Sequence, residues 1–123
     1  TSKTWYMRNV ALLAMESIDA DAAFNAAKKQ LDDPALVVRS AAVEVIARNK
    51  TRAAEGRKLL WGELQDKQNR IQNKSLWIRE QIAKHLSQQP RKDERESFLK
   101  LVEEKEQDMR SQAELALAKL HNQ

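Results

Sequence analysis

Four arginines each follow a large apolar residue and each precede a helical run: Met7-Arg8, Val38-Arg39, Ile78-Arg79 and Met109-Arg110. A row of guanidinium groups can do two kinds of work. It can track the phosphates of a nucleic-acid backbone, or it can brace one structural unit against another through forked hydrogen bonds to carboxylates, a geometry Lys does not reproduce. Six residues before these arginines stand Ser2, Asp33, Asn73 and Glu104. Two of the four, Asp33 and Glu104, are acids.

Other chemistry is thinly represented. Trp5, Trp61 and Trp77 could stack bases or sugars, and Trp77 has Glu80 three residues on; aromatics at helical spacing are more often core. His85 and His121 are the only histidines and no cysteine is present, so thiolate metal sites and disulfides are excluded. The chain carries no glycine-rich phosphate loop and no recognisable nucleophile motif. No cofactor, metal or catalytic residue is expected. Lys67, Arg70 and Lys74, interleaved with Gln68, Asn69 and Gln72, would suit phosphate contacts.

The elements that position these groups are repeats. Counting from each Arg, the third residue is Ala11, Ala42, Ile82 or Ala113 and the seventh is Met15, Ile46, Leu86 or Leu117. These offsets fall on one helix face. Three of the residues six before the Arg are good N-caps, and Pro34 suits a first helical turn. The arginines are 31, 40 and 31 positions apart, a period at which one helical hairpin stacks on the next. The longer interval implies about nine extra residues, placed at 67–74, as a prolonged helix end or a loop.

The Asp33-Pro34 turn, the Val38-Arg39 pair and the small-then-large run Ala41-Ala42-Val43-Val45-Ile46 resemble the second helix of a HEAT repeat, of the short bacterial type also found in phycobilin-lyase-like proteins. Nearly the whole chain shares the resemblance. Gln81 and Gln112 depart from it where Val10 and Ala41 are apolar. It implies an all-α fold, a right-handed α-solenoid of about three and a half HEAT-like hairpins, with units near 1–17, 18–50, 51–89 and 90–123. It also implies that each Arg reaches toward the acid at the start of its own or a neighbouring helix, Arg39 with Asp33 and Arg110 with Glu104, so that Arg8, Arg39, Arg79, Arg110 and Asp33 are structural braces. A concave face lined by residues one, five and nine after each Arg is implied as well. In the first two copies these are Asn9, Leu13, Ser40, Glu44 and Arg48; in the last two they are Glu80, Lys84, Ser111, Leu115 and Lys119. Such a mixture suits a protein or peptide better than a nucleic acid, which selects a uniformly positive face. A non-catalytic protein-interaction scaffold is the expectation. A nucleic-acid-binding module using the basic 67–84 region is the alternative, and resemblance to HEAT-like alkylpurine DNA glycosylases would give Trp77 and Glu80 a base-holding role.

Composition agrees with helices. Of 123 residues only two are Gly and two Pro, and 41% are hydrophobic, enough for a modest core when arranged in stripes. The formal charge of +4 is small, and its excess sits in the middle of the chain. No apolar run is long enough to span a bilayer, so no membrane association is expected. The chain begins with Thr rather than Met, leaving room for a removed export signal or an upstream domain, and cytoplasm and periplasm both stay open. Helices are expected near 5–15, 19–31, 35–48, 51–66, 76–87 and 107–120, with one more opened by Asp93 and Glu96. The first carries Tyr6, Met7, Val10, Ala11, Leu13 and Ala14 as its stripe. Its apolar Trp5, Tyr6 and Met7 either fold inward as a cap or meet another part of a longer protein, and association through this end is a further expectation.

Overall fold

Apolar residues at helical spacing, with few breakers between them, fold as seven α-helices among the described residues. The computed structural model describes residues 2–123, with side chains from Trp5 onward. Two compact units divide the chain, Thr1–Glu63 and Leu64–Gln123. The division falls inside the third expected repeat.

In the first unit, α1 (Ser2–Ile18) is followed after one residue by α2 (Ala20–Gln30), then α3 (Leu36–Arg48) and α4 (Ala53–Leu64). Asp19 supplies the break: its extended backbone stops α1, and its carboxylate accepts the Ala22 N–H at 3.0 Å to cap α2. α2 packs on both α1 and α3, burying Ala23, Phe24 and Ala27 completely. The alanines let the backbones approach while Phe24 supplies most of the apolar area. α4 closes over the far end of α3 at Gly56, where a Cβ would stand 3.2 Å from Ile46 Cγ2 and 3.3 Å from the Ile46 carbonyl. Arg52 holds the same corner, with its guanidinium 4.0 Å from the Phe24 ring centre and hydrogen bonds to Asp21, Asn25 and Glu55.

The second unit opens with a 3-10 turn at Lys67–Asn69 and a short hairpin of β1 (Arg70–Ile71) and β2 (Lys74–Ser75). Gln72 and Asn73 link the strands at φ 51° and 66°, the left-handed pair that a two-residue turn requires. Then come α5 (Trp77–Gln88), α6 (Arg95–Leu101) and α7 (Gln107–His121). α7 packs on α5 and on α6, enclosing Ile78, Ile82, Leu86, Phe98 and Met109.

Four local expectations are corrected. The stripe assigned to α1 does not face the core: Leu12 is its buried apolar residue, and Tyr6, Met7, Val10 and Leu13 are exposed. The helix is turned so that Arg8 and Glu16 reach Asp33 and Arg48. Asp33, Asn73 and Glu104 do not cap the helices that follow, and the side chain of Ser2 lies outside the described residues; α3, α5 and α7 begin after Ala35, Leu76 and Glu106, and Asp33 accepts the Ala35 N–H within its own loop. The extra residues at 67–74 are neither helix nor open loop but the 3-10 turn and hairpin. α6 is not opened by an Asp93–Glu96 cap: it follows a 3-10 turn at Lys92–Glu94 in which the Glu94 carboxylate accepts the Arg91 N–H.

Candidate functional site

The four arginines build one device twice. In the first unit Arg8 reaches forward to the Asp33 carboxylate, at 2.9 Å from Nη2 and 2.6 Å from Nε. Arg39 donates to the backbone carbonyls of Asp33 and Pro34 at 2.9 and 3.1 Å, and its Nε lies 3.9 Å from Glu63. In the second unit Arg79 forks onto Glu104 with 2.8 Å at each oxygen, and Arg110 donates to the carbonyls of Glu104 and Lys105. The separations match: 25 residues from first Arg to acid, six from acid to second Arg. Each acid is held through its carboxylate by the preceding Arg and through its main chain by the following one. The anticipated side-chain pairing of Arg39 with Asp33 and Arg110 with Glu104 is replaced by these main-chain grips.

Burial decides the weight of each clip. Arg79 is fully buried, and two of its three other N–H groups donate to the Leu64 carbonyl at 2.7 Å and to Ser75 Oγ at 2.5 Å. Burial would raise the Glu104 pKa, but the Arg79 hydrogen bonds and the charges of Arg79 and Arg70 prevail and hold it below 4.5. Asp33 is held below 3.8 in the same way: burial opposes, while Arg8, the Ala35 N–H and the charge of Arg39 prevail.

The residues one, five and nine after each Arg lie on the outward faces of α1 and α3 in one unit and of α5 and α7 in the other. On α1, Leu13 is exposed and the Asn9 amide donates to the Val37 carbonyl at 3.4 Å. On α3, Arg48 forks onto Glu16 of α1 at 2.7 and 3.0 Å and lies 3.8 Å from Glu44; Ser40 is half-buried beside them. On α5, Lys84 pairs with Glu80 at 3.2 Å. On α7, Ser111 and Leu115 are exposed, and Lys119 donates to the carbonyls of Ser87 and Gln88 at the end of α5. Of the six cations predicted for phosphate or partner contact, Arg48, Lys84 and Arg70 thus already face acids; Arg70 reaches Glu104 at 3.2 Å and Glu106 at 3.9 Å. Lys67 and Lys74 are exposed on the turn and hairpin.

Trp77 is half exposed at the start of α5. Sequence reasoning placed Glu80 near it but missed Asp108, which α7 brings beside Glu80. The charge of Glu80, then a hydrogen bond between the two carboxyls, pushes the Asp108 pKa above 3.8. Asp108 occupies the same offset before Arg110 that Trp77 occupies before Arg79. That shared offset was the available signal. Among the described residues no three His, Cys, Asp or Glu side chains are grouped to hold a metal ion, and no helix is long and apolar enough to cross a membrane.

Comparison of the chain with protein-family models, with curated proteins and with solved structures gives no match.

Proposed function

We propose that the chain is a non-catalytic protein-interaction scaffold, a HEAT-like α-solenoid that holds a protein or peptide on the faces of its second helices, α1 with α3 and α5 with α7. What supports this is the pairing of the cations on those faces: Arg48 with Glu16 and Glu44, and Lys84 with Glu80. A surface built to attract phosphates keeps its positive charge for the ligand. Here the charge is answered from within, and Leu13 and Leu115 add exposed apolar anchors. Mixed charge with scattered apolar side chains suits a polypeptide.

The test is titration of random-sequence single- and double-stranded DNA and RNA at low and at high salt, followed by partner capture with the intact chain and with Leu115→Glu. The expectation is no nucleic-acid binding even at low salt, and a captured protein lost with Leu115→Glu. Affinity that collapses as salt rises would replace this function with nucleic-acid binding through Lys67, Lys74 and Lys84. Turnover on alkylated DNA lost with Trp77→Ala would make the chain a glycosylase.

A further inference from the structure

We draw no further inference here: the strongest candidate, the Glu80–Asp108 carboxyl pair in the first turns of α5 and α7, is an acidic pair whose Glu80 already meets Lys84 at 3.2 Å, and no second feature of the structure points to a ligand there.

Discussion

The guanidinium of Arg79 and the carboxylate of Glu104 meet prong to prong, 2.8 Å at each oxygen, with the cation fully buried and the anion at the edge of solvent. Arg8 and Asp33 pair at the same sequence separation in the other unit, through one hydrogen bond from Nη2 and with the cation about a third exposed. Removing the buried partner leaves the Glu104 carboxylate with Arg70 alone and takes a donor from the Leu64 carbonyl and from Ser75 Oγ. Arg79→Ala should therefore cost about 3–5 kcal/mol, and Arg8→Ala about 1 kcal/mol. Urea denaturation of the two variants side by side checks the ranking; equal losses would contradict it.

Arg39→Ala should cost about 1–3 kcal/mol, because Arg39 is buried, grips two main-chain carbonyls and faces Glu63. Lys in its place cannot fork and should recover only part of the loss. An unchanged melting temperature for Arg39→Ala would remove Arg39 from the clip.

Acid should weaken both units through the same two carboxylates. Asp33 and Glu104 have folded-state pKa values depressed below 3.8 and 4.5. Their stabilisation is complete above those unfolded values and is lost as pH falls through the lower folded ones. Stability measured from pH 6 downward should stay level until the carboxylate range and then decline, with Arg79→Ala flattening part of the decline. Asp108 has the opposite sign: its raised pKa marks repulsion from Glu80 at neutral pH. Asp108→Asn should raise the melting temperature at pH 7 and leave it nearly unchanged in acid.

The two glycines should respond oppositely to alanine. At Gly62 a Cβ meets nothing within 4 Å, so Gly62→Ala should gain up to about 1 kcal/mol of helix propensity. At Gly56 the Cβ would press on Ile46 Cγ2 and on the Ile46 carbonyl, which belongs to the buried backbone of α3. Crowding there should exceed the propensity gain and leave Gly56→Ala destabilised by about 1 kcal/mol. Thermal unfolding of both variants decides it.

The hairpin turn should accept better residues. Gln72 and Asn73 both adopt left-handed backbone, which is unfavourable for Gln, whereas Asn-Gly is the preferred pair for such turns. Gln72→Asn with Asn73→Gly should stabilise the second unit by about 1 kcal/mol, read from the urea midpoint.

Helical periodicity made much of this architecture legible. α3 runs where Val38, Ala42 and Ile46 share a face, and Asp19 begins α2 as an N-cap should. Two things were not local enough to read. The orientation of α1 is set by Arg8 and Glu16 pairing with residues 25 and 32 positions away, so its richest apolar stripe is turned outward. The Glu80–Asp108 carboxyl pair is created by the packing of α7 on α5, and neither helix announces it alone. The hairpin at 70–75 escaped because its turn uses Gln-Asn, where Asn-Gly would have been the expected signal.

The second arginine of each clip measures chain length. Arg39 and Arg110 each grip carbonyls five and six residues behind them, so a residue added between Asp33 and Arg39, or between Glu104 and Arg110, would carry those oxygens out of reach. The stretch before α5 has no such gauge, since Asn73 stands in a turn at the place where Asp33 and Glu104 are held. Here the chain has lengthened by a hairpin. Tolerance to insertion is thus rationed along the sequence, and loop-grafting at 72–73 should leave the helices intact where grafting at 35 or 105 would not.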